Sequence, residues 1–122
     1  MNLSIVIVSF KSSHLIEKHI QSIENKHQII IVENSLDRKL KEKLEKLYNN
    51  VEVIIPESNL GYGTALNLGI KQSKNNFVFC MAADLNISKE CFSQISNIIN
   101  QFNDFSILSP TYFDENVFKN YK

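Results

Sequence analysis

The sequence predicts an α/β domain built on an open, mostly parallel, Rossmann-like sheet with helices on both faces. Three observations carry this expectation. Short β-branched runs alternate with single amphipathic stretches, the alternation continues without a repeat, linker or low-complexity segment as far as Pro110, and polar and glycine residues collect just after the strands. Strands separated by single helices imply parallel pairing, because parallel neighbours need a crossover connection. With 122 residues the chain suffices for one core and is too short for two.

The first strand is read over residues 3–9, a β-branched run of the kind buried on both faces. Ser12 or Ser13 then caps a helix striped by Leu15, Ile16, His19, Ile20 and Ile23. Residues 28–32 form a second strand, and Leu36, Leu40, Leu44 and Leu47 follow at helical spacing with Lys and Glu on the other face. A third strand at 51–55 is stopped by Pro56. The next helix starts near Gly61 and runs to about Ser73, where Ala65 and Gly69 leave a small-residue face suited to close packing. A fourth strand covers 77–81, followed by a helix capped by Ser88 and striped by Phe92, Ile95, Ile98, Ile99 and Phe102. A fifth strand is expected at 105–109. The expected division is therefore a domain over 1–110 and an unassigned tail over 111–122.

Composition excludes several classes of function. Apolar residues make up 43% and charged residues 21%, as in ordinary globular domains. Thirteen basic residues balance thirteen acidic ones, so no net field favours nucleic acid or an anionic membrane. The apolar run at 3–8 is too short to span a bilayer and lacks a basic n-region. Cys80 and Cys91 form no metal or redox spacing, which favours a reduced, cytoplasmic compartment. His14 and His19 are five apart, pointing to different sides of a helix, and with His27 they make no metal site. The mixed charges from Arg38 to Lys46 read as a solvated helix face.

Open parallel sheets bind ligands beyond the carboxyl ends of their strands, where the strand order reverses. That rule selects Ser9, Phe10 and Lys11 after the first strand, Glu33, Asn34 and Ser35 after the second, residues 57–63 after the third, and 82–86 after the fourth. Glu33 and Asp84 each emerge from an apolar run and must find a donor, a cation or water; capping a helix or reaching solvent would also satisfy them. Tyr62 either stacks on a base or sugar or staples its own helix. Gly61-Tyr62-Gly63 opens like a dinucleotide fingerprint, but the sixth position is Leu66 and the segment follows the third strand rather than the first. These departures argue against a dinucleotide site, and the sequence contains no Walker A loop.

Several segments in register resemble the family 2 glycosyltransferases of GT-A fold. The run Ser4 to Phe10 resembles their first strand, and Val32-Glu33-Asn34-Ser35 is similar to their V-D-N-S, with Glu in the Asp place. Residues 59–70 resemble their N-x-G-x-x-x-A-x-N-x-G segment, 77–84 the strand leading to their D-x-D or N-P-D signature, and 106–110 the next strand. The resemblance covers roughly residues 3–110. It implies a GT-A nucleotide-binding half in which Ser9, Phe10, Glu33, Asn59, Gly61, Tyr62, Asn67 and Asp84 bind a nucleoside-diphosphate sugar. Glu33 would accept hydrogen bonds from the base. Asp84 would hold Mn²⁺ or Mg²⁺ bridging the diphosphate. Ala82 stands where the family has the first residue of its signature.

The implied activity is sugar transfer to a glycan, lipid-linked or protein acceptor by a cytoplasmic chain, free or peripheral to the inner face of the membrane, with a homodimer as one mode of assembly. The family's acceptor half and catalytic base have no counterpart in these residues, and no catalytic residue is assigned. The alternative is a non-catalytic nucleotide-sugar-binding remnant or a truncated fragment.

Overall fold

The structure is a computed structural model that describes residues 1–102 and 104–109. It divides into two compact units, Met1–Lys89 and a second beginning at Glu90. The first holds β1 (Ser4–Ser9), α1 (Ser13–Ser22), β2 (Gln28–Glu33), α2 (Arg38–Leu47), β3 (Val51–Ile54), α3 (Gly61–Lys71) and β4 (Val78–Ala82). Helix α4 (Lys89–Gln101) opens the second.

The four strands form one parallel sheet in the order β3-β2-β1-β4, with β1 interior and β3 at an edge. Strands β1 and β2 are buried along nearly their whole length, as their unbroken β-branched sequences require. Ile5 and Ile7 pair with Ile29 and Ile31 on one face, and Val6 and Val8 with Ile30 and Val32 on the other. The strand order advances from β1 to β3 and then returns to β4. Right-handed crossovers therefore place α1 and α2 on one face and α3 on the opposite one. Two contacts agree with this. Lys43 of α2 pairs with Glu17 of α1 at 2.7 Å, and Ala65 of α3 clusters with Val8 and Val32.

Local chemistry fixes the elements. Helix α2 begins after Leu36 because Asp37 caps it, accepting from the Leu40 amide at 3.0 Å, a bond worth about 1 kcal/mol. Leu36 itself adopts a left-handed φ of 63° and stays exposed, so the buried stripe narrows to Leu40 and Leu44. The edge strand β3 is blunted by two side chains of α2. Glu45 accepts from the Val53 amide at 2.9 Å, and the Lys41 ammonium donates to the Val53 carbonyl at 2.6 Å.

Two expectations are corrected. The serine cap of α1 is not formed: Ser12 stands at the N-cap, but its hydroxyl donates to the Phe10 carbonyl and tightens the preceding turn instead. Residues 105–109 form no strand, with a bend at Ser106 and Ile107 89% exposed. A short apolar run is held as a strand by burial of its side chains, and Ile107 and Leu108 lack that burial.

A buried histidine makes stability depend on pH. The His27 ring is 1% exposed, and its Nδ1 accepts from the Leu3 amide at 3.1 Å, which requires that nitrogen to be unprotonated. Burial pushes its pKa below the ordinary histidine value, with Lys26 adding to the effect. The unfolded chain therefore binds more protons below about pH 6.5. His27's contribution is complete above that pH and is lost as the pH falls through the lowered folded value. Urea titrations across pH 5–8 should show stability falling on the acid side. In His27→Asn, whose Oδ1 can replace the acceptor, that slope should flatten; an unchanged slope would exclude His27 as its source.

Candidate functional site

Strand order reverses between β1 and β4, and a cleft of about 320 Å³ opens at the carboxyl ends of these strands. Val8, Phe10, Ser12, Asn34, Asn59, Gly61, Tyr62, Ala82, Ala83 and Asp84 line it. This is the crevice that open α/β sheets use for ligands.

Of the residues expected in a site, Phe10, Asn59, Gly61, Tyr62 and Asp84 come together here, and Ser9, Glu33 and Asn67 do not line the cleft. The parallel register sets Ser9 beside Glu33. Ser9 donates its hydroxyl to Glu33 Oε2 at 2.9 Å, while Glu33 Oε1 accepts from the Ser35 amide at 2.6 Å and from the Ser35 hydroxyl. Glu33 is fully buried, and these three donors satisfy its carboxylate away from the cleft lining. The Ser35 hydroxyl also accepts from the Lys11 amide at 3.1 Å, in a turn where Lys11 has a φ of 52°. The Glu33 network thus ties the loops after β1 and β2 together. Asn67 is exposed on α3.

Asn34 takes a part that sequence alone did not assign. It is 3% exposed, and its amide clamps the start of α3 from both sides: Nδ2 donates to the Gly61 carbonyl at 3.1 Å and Oδ1 accepts from the Leu60 amide at 3.2 Å. Asn59 Oδ1 accepts from the Gly61 amide at 2.9 Å. Gly61 has a φ of 71°, in the left-handed region where a Cβ is strained. The polar Asn-x-Gly spacing is therefore a turn requirement as well as a cleft wall. A signal for Asn34 existed in the sequence, an amide directly after a buried strand, but its partners lie 26 and 27 residues away.

The cleft carries two exposed rings and one carboxylate. Phe10 and Tyr62 are 49% and 51% exposed, and the Lys11 ammonium lies 5.4 Å from the Phe10 ring centroid. Partial burial raises the pKa of the Tyr62 phenol, with Cys80 and Asp84 adding to it, so Tyr62 keeps its proton, and with it a donor, throughout the neutral range. Asp84 is exposed and is the single acidic residue in the lining. Among the described residues, no three His, Cys, Asp or Glu side chains gather in a way that could hold a metal ion. One open carboxylate fits a Mg²⁺ or Mn²⁺ whose shell is completed by water and ligand phosphates, and does not fit a resident structural metal.

Residues 4–122 match the family described as Glycosyl transferase family 2. The chain belongs to that family. A curated relative, the low-salt glycan biosynthesis hexosyltransferase Agl10 of Haloferax volcanii, is 29% identical over 113 residues, which cover 89% of this chain and 36% of that protein. The chain thus spans about a third of the curated relative it matches. Among solved structures, S. aureus TarS 1-349 superposes with a TM-score of 0.69 at 24% identity, over 83% of this chain and 33% of that one. A second S. aureus TarS structure gives 0.67 at 22%, over 83% and 20%. At these identities the likeness establishes the fold, an α/β unit on an open parallel sheet. Members of glycosyl transferase family 2 catalyse sugar transfer and commonly use divalent metal ions. Among the described residues of this member, no helix is long and apolar enough to cross a membrane.

Proposed function

We propose that this chain is the donor-binding part of a glycosyltransferase, taking a nucleoside-diphosphate sugar into the cleft between the ends of β1 and β4. One observation carries the reading: Phe10, the Asn59–Tyr62 turn and Asp84, which resemble the family's donor-site segments, line a single cleft at the point of strand reversal. The nucleobase packs against the exposed faces of Phe10 and Tyr62, where aromatic contact tolerates any base. The Glu33 network sets the height of the Phe10 loop from below, so Glu33 acts on the base through Ser9 and Ser35 rather than by touching it. Asp84 faces the diphosphate, and a bare carboxylate there would repel it. A divalent cation held by Asp84 would reverse that repulsion and stabilise the diphosphate as it leaves. The sugar then passes to a glycan, lipid-linked or protein acceptor. Cys80 and Cys91, which stand at no metal or redox spacing, support a cytoplasmic setting for the reaction.

Titration calorimetry with UDP, GDP and dTDP tests the reading. At least one should bind more tightly with Mn²⁺ than with a chelator present. Equal affinity in both conditions would remove the cation from the site, and no binding by any of them would remove the donor.

A further inference from the structure

Helix α1 sends one polar side chain into the interior. His19 is 7% exposed, and its Nε2 lies 2.6 Å from the carbonyl oxygen of Ala83, 64 residues along the chain. A carbonyl can only accept, so Nε2 carries the proton whatever the charge on the ring. Ala83 is 4% exposed and directly precedes Asp84, in the turn where the Leu85 amide donates to the Ala82 carbonyl at 3.2 Å. Without His19 the Ala83 carbonyl would be buried with no donor from this ring. The turn could recover a partner by rotating the Ala83–Asp84 peptide toward water, and that rotation would carry the Asp84 carboxylate with it.

We propose that His19 is the positioning residue of the site, fixing the turn after β4 so that the Asp84 carboxylate is held at one place in the cleft. The ring suits this task because it is buried while one ring nitrogen reaches the carbonyl just past the end of β4. The inference rests on the proposal that Asp84 holds the cation on the donor diphosphate. Groups that orient a ligating side chain without touching the ion typically change metal affinity by about 10–100-fold when removed.

The test compares His19→Phe, which keeps a ring but no donor, with His19→Gln, whose Nε2 can replace the lost N–H. Affinity for the best-binding of UDP, GDP and dTDP is measured in the full chain with Mn²⁺ and with a chelator. His19→Phe should weaken the Mn²⁺-dependent affinity by about 10–100-fold, cause no loss of the chelated affinity, and be largely rescued in His19→Gln. Wild-type affinity in His19→Phe, or equal losses in both variants with and without the ion, would overturn the proposal. If the wild-type chain shows no Mn²⁺ dependence, the assignment of a cation to Asp84 fails by itself, and hydrogen exchange at the Leu85 amide decides the role of His19. Faster exchange in His19→Phe but not in His19→Gln upholds the positioning role; unchanged exchange in His19→Phe overturns it.

Discussion

Replacing Gly69 by alanine is expected to lower the stability of the chain by about 1–3 kcal/mol, the usual cost of forcing a methyl group into a packed core. The same replacement at Gly63, two turns earlier in the same helix, is expected to raise it by up to about 1 kcal/mol. A Cβ built on Gly69 would lie 2.4 Å from Val6 Cγ1 and 3.2 Å from Val32 Cγ2, and both valines are fully buried in the central strands. A β-branched side chain in a strand cannot turn away without leaving its preferred rotamer. Either α3 lifts off the sheet or Val6 is displaced. The intrinsic gain of alanine in a helix is smaller than the clash. A Cβ on Gly63 meets nothing within 4 Å, so there the gain stands alone. Urea unfolding of the two variants should therefore move the midpoint in opposite directions. A shift of the same sign in both would mean that α3 does not sit this close to β1 and β2.

The second large effect is expected at Asp84. Replacing it by asparagine keeps the shape and removes the charge that would hold a cation, so the Mn²⁺-dependent gain in nucleoside-diphosphate affinity should fall at least about tenfold. With a chelator present the sign reverses. A carboxylate near a diphosphate costs on the order of 1 kcal/mol in a water-like medium, and its removal should strengthen metal-free binding by up to about fivefold. Asp84 is exposed on a loop, so folding should be unaffected. Calorimetry of wild type and Asp84→Asn in both conditions gives four affinities. A loss of equal size with and without the ion would indicate a contact to the nucleotide itself rather than to a metal.

The parts of this fold that were legible in the sequence are those where apolar periodicity and backbone chemistry agree. The β-branched runs of β1 and β2 read as doubly covered strands, and Gly69 with Ala65 mark the face on which α3 lies against them. Asp84 and the Asn59–Tyr62 turn share one cleft because the carboxyl ends of parallel strands are where a crevice forms. What could not be read depends on register and distance. Ser9 meets Glu33 because the β1–β2 ladder pairs residues 24 apart, and a single strand end does not reveal whether its carboxylate faces a cleft or folds beneath it. The clamps of Asn34 on Leu60 and Gly61 and of His19 on Ala83 are long-range in the same sense. At 105–109 the mismatch runs the other way, since an apolar pattern reads as a strand where the burial that would fix one is missing.

Whether a cation and a donor diphosphate meet at Asp84, between the ends of β1 and β4, is decided by anomalous diffraction from crystals grown with Mn²⁺ and the best-binding nucleoside diphosphate. A manganese peak is expected within bonding distance of the Asp84 carboxylate and beside the diphosphate, with the base beside Phe10 and Tyr62. A nucleotide bound in that cleft with manganese elsewhere, or a nucleotide seated away from the carboxyl ends of β1 and β4, would contradict that expectation.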